Sequence, residues 1–124
     1  MKPIISKSTE PLRKFGDGAF LKILFDSENG AKNFAMGTVI INPKERTAEH
    51  VRDVEEIIFA HRGTTWVITD TEEYKLDEGD CILIPAGVTH YHANKGDKAI
   101  EQIWIFAPQG PEKANRKLEF VNKA

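Results

Sequence analysis

Residues 79–94 read GDCILIPAGVTHYHAN: a glycine, an apolar run, then Pro85, Gly87, His90, His92 and Asn94 in close order. A proline removes a ladder donor, so Pro85 ends the strand predicted at 80–85. Gly87 permits a tight reversal, after which His90 opens a new strand. Side chains alternate along a strand, so His90 and His92 share a face. Two imidazoles on one face suit either a polar wall or a metal site, and the rest of the chain bears on which.

From about residue 19 the sequence breaks into short runs rich in Val, Ile, Phe, Trp and Thr, separated by Gly, Asn, Asp and Pro clusters. Strands are predicted at 19–25, 33–41, 55–62, 64–69, 72–76, 80–85, 90–94 and 99–106. TDTE at 69–72 predicts a hairpin, while DEGD at 77–80 and NKGD at 94–97 each supply a glycine for a positive-φ position. Helix formers follow a proline only in GPEKANRKLEF near the C-terminus, a segment that reads otherwise as a surface tail. Short strands spaced by turns predict an all-β sandwich or barrel, and a jelly roll is one way to limit exposed edges.

The 124 residues predict one domain spanning 1–124, with its core at about 19–106 and an extension at either end. With 40% hydrophobic and 29% charged residues the chain can form an ordinary core. Seventeen basic against nineteen acidic side chains leave a formal charge of -2, which offers no field for a polyanion and argues against a nucleic-acid partner. No apolar run approaches membrane-spanning length and the N-terminus lacks a signal-type apolar stretch, so a cytoplasmic protein without a membrane partner is expected. Cys81 is the only cysteine, which excludes an internal disulfide, and within DCILI it reads as a small core hydrophobe.

A second pattern lies upstream: His50, one residue, Arg52, three residues, Glu56, six residues, Gly63. At these spacings the sequence resembles the cupin family, as a small single-domain member of the RmlC-like jelly-roll type. The family's motifs are G(X)5HXH(X)3,4E(X)6G and G(X)5PXG(X)2H(X)3N. Gly79, Pro85, Gly87, His90 and Asn94 match every fixed position of the second, a coincidence on the order of one in a million at a given register. The first is matched at His50, Glu56 and Gly63. Arg52 stands where the family has its second histidine, and the leading glycine is displaced, so that 42–49 reads as a lengthened loop.

The resemblance implies a cupin double-stranded β-helix with one pocket in the barrel mouth, and His50, Glu56 and His90 correspond to the family's metal ligands. Two imidazoles and a carboxylate suit a divalent Fe, Mn, Co, Ni or Zn ion and leave positions open for substrate or water. Glu56 and Ile58 share a strand face, and antiparallel neighbours would aim Glu56 and His90 into one barrel. The resemblance also implies a homodimer, to which the segment through Phe15 would add a strand.

Arg52 cannot ligate a metal, having no free lone pair. Three readings stay open. The metal binds through three ligands and Arg52 recognises a carboxylate or phosphate of the substrate; or Arg52 pairs with Asp53, Glu55 or Glu56 and fills the metal's place; or His92 serves as the replacement donor. His61 and Glu55 alternate away from Glu56 and read as surface residues. Gln102, Trp104 and Phe106 share one face of their strand, Ile103 and Ile105 the other, and parity does not say which is inward. Trp66 and Tyr74 read as core or interface residues.

Two functions are compatible with these residues. One is a metal-dependent enzyme of isomerase, lyase or dioxygenase type acting on a small polar metabolite, with Arg52 or His92 as the positioning or proton-transfer group. The other is a metal-free module that binds or senses a sugar or an organic acid.

Overall fold

The computed structural model describes residues 2–121. Nine strands form two sheets: β1 (Arg13–Lys14), β2 (Ala19–Phe25), β3 (Ala35–Ile41), β4 (Glu55–Arg62), β5 (Thr65–Thr69), β6 (Glu73–Leu76), β7 (Cys81–Ile84), β8 (His90–Ala93) and β9 (Ile100–Ala107). The larger sheet has the order β1-β2-β3-β9-β4-β7 and the smaller β6-β5-β8, with every pairing antiparallel. A short helix α1 (Glu112–Asn115) follows β9. Among the described residues no helix is long and apolar enough to cross a membrane. This is the predicted jelly roll, and β2 and β4 begin and end at the predicted residues.

Alternation explains the core. The inward sets Leu21 and Ile23, Val39 and Ile41, Ile58 and Ala60, and Trp104 and Phe106 from the larger sheet meet Val67 and Leu76 of the smaller one. Each fully buried aliphatic side chain contributes roughly 1.5–3 kcal/mol. Gln102, Trp104 and Phe106 are therefore the inward set of β9. Trp104 lies beside Gly37 of β3, where an added Cβ would run into the Lys22 carbonyl oxygen and the indole ring. The glycine at 37 makes room for the tryptophan.

Cys81 and Gly96 depart from expectation. Cys81 is exposed, because it pairs with Phe59 on the outward side of the larger sheet, whereas Glu56 and Ile58 face in. Tyr74 is exposed on the edge strand β6, and Trp66 is half-buried with Lys95 Nζ 3.9 Å above its ring. The hairpin at 69–72 closes with Thr69 N–H donating to Glu72, and Gly79 has φ 94°. Gly96 lacks a positive φ; its N–H donates to Asn94 Oδ1, and this side-chain turn makes the left-handed conformation unnecessary. The N-terminal segment adds β1 to its own chain's sheet, where Arg13 also bridges to Phe120.

Residues 42–54 contain no regular strand, yet they extend the smaller sheet. Thr47 N–H donates to the His92 carbonyl and His50 N–H to that of His90, while His90 N–H donates back to His50. The lengthened loop thus lies antiparallel along β8.

Candidate functional site

His50, Glu56, His90 and His92 meet inside the barrel, each offering a ligand atom, and these four atoms all lie within 4.8 Å of one another. Three elements bring them there. The Pro85–Gly87 turn, with Gly87 at φ 86°, starts β8 and puts His90 and His92 on its inner face. The bridge between residues 50 and 90 carries the His50 ring to 4.3 Å from the His90 ring. Glu56 comes from β4 in the opposite sheet. It therefore meets His90 across the sandwich, not along a pair of neighbouring strands as expected: β4 pairs with β7 and β9, and β8 with β5.

Hydrogen bonding orients the imidazoles. His90 Nδ1 lies 2.8 Å from the Val88 carbonyl and His50 Nδ1 3.0 Å from that of Ala48. A carbonyl only accepts, so in both rings Nδ1 carries a proton and donates to it. His90 Nε2 points at Glu56 Oε1, 3.0 Å away. A proton on that nitrogen donates to the carboxylate, and a metal ion bound by both would take that proton's place. His50 Nε2 and His92 Nδ1 are buried with no hydrogen-bond partner among the described residues. Burial, then the Arg52 charge and His90, lower the His50 pKa to about 3. Burial likewise holds His92 well below the usual histidine range, assisted by His50, His90 and Arg52. Both rings are neutral at pH 7, the form in which imidazole binds a metal. Three nitrogens, one carboxylate oxygen, backbone-oriented rings and orphaned ring nitrogens fit a transition metal ion.

Arg52 and His92, the two other candidates, both line the space beside this cluster. His92 joins the donor group. Arg52 is half-buried and does not ligate; its guanidinium carbon lies 5.4 Å from the Phe106 ring centre. Burial lowers its pKa while Glu56 raises it. Among the described residues it forms no ion pair with Asp53, Glu55 or Glu56. A cavity of about 10 Å³, roughly the room of one water, is lined by Arg52, Glu56, His92, Gln102, Trp104 and Asn115 among others. Gln102 donates through Nε2 to Thr65 Oγ1, leaving its Oε1 unpartnered. His61 and Glu55 face outward as expected, His61 against Glu101 at 2.7 Å. Asn94, the last residue of the second motif, serves the fold: its Nδ2 donates to the Ile41 and Lys98 carbonyls at 3.0 and 2.7 Å. Asn115 escaped sequence reasoning, because an asparagine among helix formers near a terminus carries no local signal of burial.

Residues 37–106 match the cupin domain family, and the chain belongs to it. It is similar to "Polyketide synthase CurC" of Streptomyces cyaneus, with 31% identity over 107 residues covering 86% of this chain and 69% of that protein. Among solved structures it resembles a cupin-like protein of Thermotoga maritima at 25% identity and TM-score 0.72, over 95% of this chain and 98% of that one. It also shares its fold with the polyketide cyclase RemF of Streptomyces resistomycificus, at 15% identity and TM-score 0.75, over 100% and 88% of the two chains.

Proposed function

We propose that this cupin binds one divalent transition metal, drawn from Fe, Mn, Co, Ni and Zn, through His50, Glu56, His90 and His92, and acts on a small oxygen-bearing metabolite beside it. The observation that carries this reading is the convergence of the four donor atoms, with His50 Nε2 and His92 Nδ1 buried and unpartnered. When bound, the metal supplies Lewis acidity toward a carbonyl or enolate oxygen. The chain's own residues orient and confine. Val88 and Ala48 fix the His90 and His50 rings, Trp104 and Phe106 exclude water, and Gln102 offers a hydrogen-bonding amide. Likeness to CurC and RemF supports a carbonyl-bearing, polyketide-like substrate, on which the reaction is of isomerase, lyase or dioxygenase type. The metal-free alternative needs Arg52 paired with Asp53, Glu55 or Glu56, and the absence of such an ion pair among the described residues favours the metal reading over it.

A homodimer is part of the proposal. Ile57 and Leu83 are exposed on the outer face of the larger sheet, in register with Ile105, a row suited to a second copy.

Elemental analysis of protein purified without chelator tests the metal reading. About one transition metal per chain is expected, with near-complete loss in His90→Ala at a preserved circular dichroism spectrum. Metal-free wild-type protein that gains no thermal stability from any of the five ions sinks it.

A further inference from the structure

The barrel mouth holds two buried hydrogen-bond donors with nothing to donate to. Arg52 Nε and Asn115 Nδ2 both lack a partner among the described residues, and Asn115 is only 3% exposed. They come from separate parts of the chain, the first motif and α1, yet both line the cavity that Glu56 and His92 also line. A buried donor left unsatisfied costs about 1–3 kcal/mol, and although Gln102 and His92, each with an unpartnered acceptor atom, line the same space, neither bonds to Arg52 Nε or Asn115 Nδ2, so the two donors call for a shared acceptor.

The placement of Asn115 is overdetermined. Arg116 next to it makes a two-pronged ion pair with buried Asp26, both contacts at 2.7 Å. Burial would raise the Asp26 pKa, but the Arg116 hydrogen bond and charge outweigh it and hold the carboxyl below its usual value. Arg13 Nη1 donates to the Arg116 and Leu118 carbonyls, and Gln109 Nε2 to those of Ala31 and Phe34. Glu112, on the same helix, folds back to accept from Gly110 N–H and does not line the cavity. Arg52 is held too, since Gly87 N–H donates to its carbonyl at 2.8 Å.

Outside this pair lies a pocket of about 360 Å³ lined by Val51, Arg52, Asp53, Gly87, Pro111 and Ala114. That volume falls in the range of small-molecule sites. Arg52 lines both spaces, an outer pocket that fits a ligand body and an inner cavity that fits one ligand oxygen.

We propose that Arg52 and Asn115 form a carboxylate-binding pair at the barrel mouth: the body of a small carboxylic acid occupies the outer pocket, and one carboxylate oxygen passes inward to the two donors. A guanidinium and an amide together suit a carboxylate, and neither donor suits a cation. This rests on the metal reading above, in that the oxygen so held lies beside His92 and Glu56.

Benzoate and its neutral counterpart benzamide test the pair by isothermal titration calorimetry, on metal-loaded and chelator-treated protein, with metal content measured in parallel. Wild-type protein is expected to bind benzoate about tenfold or more tightly than benzamide in both forms. Arg52→Gln and Asn115→Leu should each remove that preference while retaining wild-type metal content and melting temperature, and Arg52→Lys should keep part of it. Equal binding of the two probes by wild-type protein overturns the proposal, because a water then satisfies the donors. So does a preference that vanishes on chelation and ignores Arg52→Gln, because the metal alone then holds the carboxylate. Absent metal with the preference intact overturns the metal reading instead. Should Asn115→Leu unfold, Asn115→Asp replaces it; the added charge should reverse the preference.

Discussion

The two motif segments reach the same site by opposite means. Residues 79–94 are regular: a strand, a proline, a glycine turn and a second strand put His90 and His92 on one inner face. Residues 42–63 are irregular up to Glu55, and His50 arrives on a loop held to β8 by backbone hydrogen bonds. The regular segment supplies two nitrogen donors where the family pattern needs one, and the irregular segment supplies one where it needs two. On the proposed metal reading, a donor lost from one strand is made good from a facing position on another, because a metal site depends on where lone pairs point and is indifferent to which segment carries them.

The sharpest way to break this comparison is to move the donor back. His92→Ala should weaken metal binding by about a hundredfold, and Arg52→His in that background should restore most of it, as read by chelator competition. If the double variant binds no better than His92→Ala, position 52 does not reach the metal and the two segments do not compensate.

A smaller effect separates the motif's chemical and structural members. Asn94→Ala removes donors from two buried or half-buried carbonyls and should cost about 2 kcal/mol in urea unfolding, with metal affinity unchanged. Metal loss on that substitution would instead place Asn94 in the site.

A further test is acid. With its folded-state pKa at about 3 against an ordinary 6.5, His50 binds fewer protons folded than unfolded between those values. Stability of metal-free protein should accordingly be full above pH 6.5 and fall as pH drops toward 3, by about 1.4 kcal/mol per pH unit. His92, shifted the same way, steepens the fall. Urea midpoints at pH 7, 6 and 5 measure it, and His50→Gln should reduce the slope. A midpoint that holds constant over that range contradicts the neutral, buried ring.

Much of the fold was readable from composition and alternation. Strands 19–25 and 55–62 appear with the predicted limits, and parity put His90 with His92, and Glu56 with Ile58, on shared strand faces. Cys81 was misread because an apolar run looks the same whichever of its alternate residues face in, and the pairing with Phe59 turns the thiol outward. Parity also left Gln102, Trp104 and Phe106 unassigned until the larger sheet packed with that face inward.

By itself the sequence determined the local features: where strands run, where Pro85 and Gly87 reverse the chain, and that His90 and His92 share a face. Each depends on backbone sterics and alternation among adjacent residues. Only the tertiary structure decided that Glu56 meets His90 across two sheets, that His92 stands beside Glu56 and His90, and that Asn115 lines the same inner cavity. Those meetings depend on strand order and sheet packing, which are summed over many weak contacts between residues far apart in the chain and leave no mark on any one of them.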